Sequence, residues 1–328
     1  MRLVVLRALG LGDFLTAVPA YRAIRRAFPR AHISLAAPSA FAPLLDLVGD
    51  AIDGIVDVRE LGPLPAKLHD ADLAVNLHGA GPQSHDVLVR SGARRLIAYR
   101  NAAVPASAGG PAFDACEHEV VRWCRLLASA GMPADPNDLN LNEPPITRFA
   151  GTRGATLVHP GAASESRRWP VDRWISLARA ERDRGRRVVI TGGPAEVERA
   201  RTIASAAGIS SAHVFAGRTN VMELAAIVAA AGRVVCGDTG VAHLATAFRR
   251  PSVVLFGPTA PALWGPPPRP YHRVIWHGTT GNPHAAHIDA GLLAIGVEEV
   301  IAALDAANDE LAPRALIGDE AHQLPKRR

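Results

Sequence analysis

"LRALGLGDFLTAVPAYRAI", residues 6–24, decides the fold. The apolar run RLVVLRA (2–8) enters a glycine turn, and a helical pattern follows over 14–28. A short buried strand that stops at glycines before a helix is the opening unit of a parallel α/β layer. The turn departs from the dinucleotide fingerprint GxGxxG, because Gly10 and Gly12 fit but Leu15 stands at the third position. The next strand, HISLAA (32–37), ends without the acid that would hold a ribose, which also speaks against a nicotinamide-type site. Asp13 sits where a phosphate cradle would least want a negative charge. Aspartate is a preferred helix N-cap, which gives it a purely structural role. The paired glycines also let the backbone lie close to a ligand and leave Asp13 at a cleft mouth. These residues alone leave both roles open.

The same alternation continues outward. GIVDV (54–58) and DLAVNLH (72–78) read as further strands, with helices expected at 39–47, 82–91 and 116–130. Residues 131–147, GMPADPNDLNLNEPPIT, carry four prolines, three asparagines and two aspartates, so an inter-domain connection is expected there. The rhythm then restarts with strands at 155–160, 186–192, 212–217, 233–238 and 252–257. Helices are expected from about 171, then at 195–207, 221–231 and 240–248. The expected domains are 1–147 and 148–310, with a polar tail over 311–328. Two parallel α/β units facing each other can hold two substrates between the carboxyl ends of their strands.

Composition narrows the class. The chain has 328 residues, 48% of them hydrophobic, and a net charge of +5. Lys67 and Lys326 are its only lysines, so the positive charge is almost entirely arginine. No basic stripe with interleaved aromatics is present, which argues against nucleic acid as a partner. Cys116, Cys124 and Cys236 are too few and too scattered for a disulfide framework and suit a reducing cytoplasm. The N-terminus lacks signal-peptide character, and the most apolar helical stretch (223–233) is far too short to span a bilayer. A cytoplasmic protein is expected, with contact at the inner face of the cell membrane left open.

Three more stretches carry chemistry. In VVCGDTGVAHLATAF (234–248), a strand stops at Gly237 and Asp238-Thr239-Gly240 opens a helix. Free N–H groups and the positive helix end suit a diphosphate there, with Thr239 as a hydroxyl donor and His243 one turn on. A plain capped helix is the structural alternative. In VHPGAASESRRWPVDRW (158–174), small residues permit close approach and an arginine of Arg167-Arg168 can pair with phosphate through two parallel bonds, while a solvated loop before a Trp-Pro helix start fits these residues equally well. LFGPTAPALWGPP (255–267) reads as a strand and a rigid loop that could wall a nucleotide pocket.

Together, LGLGDFLTAVPA, VHPGAASESRRWP, GDTGVAHLATAF and LFGPTAPALWGPP resemble glycosyltransferase family 9, the ADP-heptose:lipopolysaccharide heptosyltransferase family, from the first strand to about residue 306. The resemblance implies a GT-B architecture, two Rossmann-like domains with the acceptor held by the first and the nucleotide sugar by the second. It implies inverting transfer without an essential metal or other cofactor, with ADP-heptose the favoured co-substrate. It matches Asp13 to the family's catalytic base and places Arg167 where the family usually has a diphosphate-contacting lysine. Thr239, Gly240 and His243 match its phosphate-binding run, with Asp238 beside them, and Glu196 matches an acid near the donor nucleoside. Gly10, Gly12 and the His78-Gly79 loop are expected on the acceptor side, together with the segment from Tyr99 to Gly110.

The expected activity is transfer of a heptose-like sugar to a hydroxyl of a glycan, glycolipid or small-molecule acceptor, a lipopolysaccharide core being the family's familiar one. Two alternatives stand beside it: a GT-B-type nucleotide-sugar epimerase, and a relative that binds sugar nucleotide without turnover.

Overall fold

The computed structural model describes residues 1–145, 149–278 and 280–309. Ten strands form two five-stranded sheets among these residues. The first contains β1 (Arg2–Leu6), β2 (His32–Ala37), β3 (Gly54–Asp57), β4 (Leu73–Asn76) and β5 (Leu96–Ile97) in the order β3-β2-β1-β4-β5. The second contains β6 (Thr156–His159), β7 (Val188–Ile190), β8 (Arg233–Gly237), β9 (Ser252–Phe256) and β10 (His272–Trp276) in the order β10-β9-β8-β6-β7. Every pairing is parallel. The central strands are almost wholly buried and rich in Val, Ile and Leu, as a sheet covered on both faces requires.

The helices are α1 (Leu11–Thr16), α2 (Val18–Ala27), α3 (Leu45–Val48), α4 (Gln83–Arg90), α5 (Glu119–Ser129) and α6 (Val171–Asp183). They continue as α7 (Val197–Ala207), α8 (Val221–Ala230), α9 (Gly240–Ala247), α10 (Pro261–Trp264), α11 (Ala290–Ala294) and α12 (Val297–Asp309). The helix expected over 14–28 is two helices. Pro19 has no N–H to give the Leu15 carbonyl, and the run divides at Ala17. The strand expected over 212–217 is a short turn, Ser211–His213, then a single bridge between Ile190 and Val214. Phe215 N–H still bonds the Ile190 carbonyl at 2.7 Å, but Gly217 at φ +68° turns the chain away.

Strand order changes direction beside β1 in the first sheet and between β6 and β8 in the second. Such switch points open a crevice at the carboxyl ends of the strands. The Gly10–Asp13 turn follows β1, and Asp238-Thr239-Gly240 follows β8, so topology brings the two motifs to facing crevices. The halves are packed directly. One apolar cluster joins Phe14 and Leu15 of α1 to Val241 and Leu244 of α9. Each such side chain contributes roughly 1.5–3 kcal/mol on full burial.

Residues 131–145 contain no helix or strand. They are nevertheless tied to both halves: Leu141 N–H reaches the Ala247 carbonyl at 3.2 Å, and Asn142 N–H reaches the Leu47 carbonyl at 2.9 Å. The expected boundary at 147/148 and the expected tail over 311–328 lie outside the described residues.

Candidate active site

Asp13 is the third residue of α1, not its N-cap. Its carboxylate reaches back to accept the Gly10 N–H at 3.2 Å, the N3 half of a capping arrangement. Its side chain still keeps 24% exposure toward the cleft. The capping and cleft-facing roles left open by the sequence are therefore compatible. Burial pushes the Asp13 carboxyl above its ordinary value, against the pull of the Arg7 guanidinium and the Gly10 N–H, while Glu119 adds to the rise. Such a carboxylate is a better proton acceptor than a free one.

Across the gap, Thr239 holds the N-cap position of α9 without making a cap hydrogen bond. Its hydroxyl is buried with no nitrogen or oxygen partner, though the Cys236 thiol is within bonding reach. A hydroxyl at a helix N-terminus without a strong hydrogen-bond partner is chemically able to donate to an anion. Arg167, on the loop after β6, places Nη1 3.4 Å from the Asp238 carbonyl and 3.9 Å from its carboxylate. Burial pushes the Asp238 carboxyl up to about 6, with Arg167 opposing and Asp13 adding to the shift. His243 is pushed down to about 4, chiefly by burial, so its ring is neutral at pH 7. It meets the Trp264 ring edge-on with centroids 6.0 Å apart.

A single cleft of about 850 Å³ joins the two sides. Of the expected residues it brings together Gly10, Gly12, Asp13, Arg167, Asp238, Thr239, Gly240 and His243. Thr259 and Trp264, from the rigid loop after β9, form part of its wall, as expected of that segment. The halves interlock at its floor. A Cβ on Gly12 would lie 3.0 Å from the His243 ring, and one on Gly240 would lie 2.9 Å from Leu11.

Two expected residues are not in that wall. Glu196 is half-exposed among the loops of the second sheet: Oε2 accepts the Gly193 N–H at 2.6 Å, and its carboxylate fills the space beside Gly161. His78 follows β4, its backbone N–H bonded to Asn76 Oδ1 at 2.9 Å. Its ring is pushed down to about 4 by burial and by Arg7, and Nδ1 has no partner. Tyr99, from the segment expected to face the acceptor, is core: its hydroxyl donates to the Arg122 carbonyl, and its ring packs on Phe113 and Trp123. The sequence reading missed Arg7 and Glu119, which contact Asp13 or its neighbours from beneath. An arginine directly after an apolar strand was the available signal. The wall residues Ala163, Pro283 and His284 were also missed. Among the described residues, no group of three or more His, Cys, Asp or Glu side chains could hold a metal ion.

Two parallel α/β units with facing crevices form a GT-B fold. Residues 112–288 match the model of glycosyltransferase family 9 (heptosyltransferase), and the chain belongs to that family. It is 30% identical over 154 residues to lipopolysaccharide heptosyltransferase 1 of Escherichia coli K12, an alignment covering 45% of this chain. That alignment spans about half, 47%, of the relative's own length. Lipopolysaccharide heptosyltransferase 2 of the same organism is 24% identical over 308 residues, covering 81% of this chain and 85% of the relative. Among solved structures, that of the E. coli ADP-heptose lps heptosyltransferase II superposes with a TM-score of 0.76 at 22% identity. It covers 94% of this chain and 99% of the other.

Proposed function

We propose that the protein is an inverting glycosyltransferase that moves a heptose-like sugar from a nucleotide diphosphate donor, ADP-heptose above others, to an acceptor hydroxyl. Asp13 is the general base. The observation that carries this reading is the single cleft with Asp13 on one side and Arg167, Asp238, Thr239, Gly240 and His243 on the other. In an inverting displacement the acceptor hydroxyl attacks the anomeric carbon opposite the leaving diphosphate. The C–O bond to the diphosphate breaks as the new glycosidic bond forms, and Asp13 takes the hydroxyl proton. Negative charge growing on the diphosphate meets the α9 N-terminus, the Thr239 hydroxyl and the Arg167 guanidinium, groups able to stabilise it without a metal. The family's lipopolysaccharide enzymes and the ADP-heptose named for the structural relative support both the donor and a glycolipid-type acceptor. Such an acceptor would bring the chain to a membrane surface. No helix among the described residues is long and apolar enough to cross one.

The test is Asp13→Asn. Calorimetry should show ADP-heptose bound within about twofold of wild type, while transfer falls about a hundredfold or more. Wild-type turnover in that variant would remove Asp13 from the chemistry. Incubating the wild type with donor alone separates transfer from epimerisation, since an epimer formed without acceptor would support the second activity.

A further inference from the structure

Arg7, the residue after β1, is a fully buried arginine that does not line the cleft. Its guanidinium stacks 4.9 Å from the Trp123 ring centroid and is bonded on every side. Nε donates to the Asp13 carbonyl at 2.7 Å, and Nη1 donates to the Leu77 carbonyl. Nη2 meets Glu119 Oε1 at 2.7 Å, Thr16 Oγ1 at 3.2 Å and Asp13 Oδ1 at 3.4 Å. One side chain thus ties the α1 turn to the end of β4 and the start of α5. Glu119 is equally committed: Oε1 also accepts the Trp123 indole N–H at 2.8 Å, and Oε2 pairs with Arg122.

A permanent cation beside a general base is a chemical liability, because it stabilises the carboxylate and weakens it as a proton acceptor. Glu119 answers that liability by sharing the same Nη2. We propose that Arg7 and Glu119 form a positioning pair for Asp13, in which Arg7 fixes the turn and aims the carboxylate into the cleft while Glu119, shared with Arg122, offsets part of the charge of Arg7. The inference rests on Asp13 being the base. Other groups lie near that carboxylate: Asp238 just after β8 and the buried Tyr21 hydroxyl of α2, both of which Asp13 pushes up, and the Gly10 N–H of its own turn, which bonds it. Arg167 and His243 share its cleft, and His78 lies near Arg7. Glu119 is the group here that both contacts Arg7 and opposes its charge. Its carboxyl is suited to that role: burial alone would push it up, yet Arg7, Trp123 and Arg122 hold it below its ordinary value, so it stays ionised.

The experiment uses the full chain as wild type, Asp13→Asn, Glu119→Gln and Arg7→Lys, with melting curves to establish folding. Three readouts are taken: kcat and KM against pH, donor affinity by calorimetry, and the carbon-13 carboxyl titration of Asp13, assigned by its loss in Asp13→Asn. Glu119→Gln should move both the Asp13 titration and the acid limb of kcat to lower pH by about half a pH unit or more, the size expected when one neighbouring charge is removed. Donor affinity should stay within about twofold. Arg7→Lys keeps the charge but cannot reach the Leu77, Thr16 and Asp13 oxygens together. It should lower kcat about tenfold, with donor affinity and the acid limb unchanged. If Glu119→Gln does not fold, the Arg7→Lys split between kcat and donor affinity decides alone. An unmoved Asp13 titration in folded Glu119→Gln, or wild-type kcat in Arg7→Lys, overturns the positioning pair. Normal turnover in Asp13→Asn overturns the base reading and the pair with it, whereas an inactive Asp13→Asn beside unaltered partner variants overturns the pair alone.

Discussion

At the scale of single residues, the proposed diphosphate site draws on groups with few strong hydrogen bonds elsewhere. Thr239 makes no cap bond, and the shortest contacts of Arg167 to Ser164 and Asp238 are long, at 3.4 Å. A diphosphate would therefore meet donors that need not first be released. Arg167→Ala and Thr239→Ala should each weaken ADP-heptose binding about tenfold, in line with the roughly 1.5–3 kcal/mol of a hydrogen bond to a charged group. Calorimetry checks this, and unchanged affinity in both variants would move the diphosphate elsewhere. Arg167→Lys should recover most of the loss if charge matters more than the planar fork. The identity of these residues was legible in the sequence, because Asp, Thr, Gly and Arg after strand ends each have a chemical reason to be there. The position of Asp13 as third residue of its helix was not, since it depends on Gly10 turning its N–H toward the carboxylate.

At the scale of elements, the site is held by the contact of α1 with α9. Gly12 faces the His243 ring and Gly240 faces Leu11, so the two helix starts approach more closely than side chains would allow. A methyl at 240 would meet the Cβ and Cγ of Leu11 at 2.9 Å, atoms too near the backbone to swing aside. Gly240→Ala should cost about 1–3 kcal/mol, as overpacking usually does. A lower melting temperature with weakened donor binding is the expected result; an unchanged melt would mean that the helices slide apart freely. The alternation of strand and helix was readable along most of the chain. It failed where local pattern and tertiary pairing diverge. AHVFAG looks like a strand, but a turn and Gly217 leave it one bridge with β7. β10 is only partly buried, with no clear alternation, and owes its place to pairing with β9.

At the scale of the whole molecule, buried titratable groups link stability to pH. His78, His243 and His272 are each pushed down to about 4, chiefly by burial, from an unfolded value near 6.5. Between those values the unfolded chain binds more protons, so their contribution is complete above pH 6.5 and is lost as pH falls toward 4. Asp13 and Asp238 are raised, Asp238 to about 6, so the native state binds more protons there as pH falls and they work in the opposite sense. With His159 also pushed down by burial, four histidines against two carboxylates give a net loss, and the melting temperature should fall between pH 7 and pH 4.5. A melt that rises over that range would show the cleft carboxylates dominating.

From the amino-acid order alone came the two doubly wound units, the glycine turns and the chemical types at their strand ends, because hydrophobic period, turn residues and capping preferences act over a few neighbouring positions. Tertiary structure alone decided that Arg7 and Glu119, 112 positions apart, share one buried ion pair beneath Asp13. It also decided that Glu196 lies beside Gly161 and that α1 presses directly on α9. Those outcomes depend on which surfaces close over which others, and burial, which sets the strength of every charge in the cleft, exists only once the chain has folded.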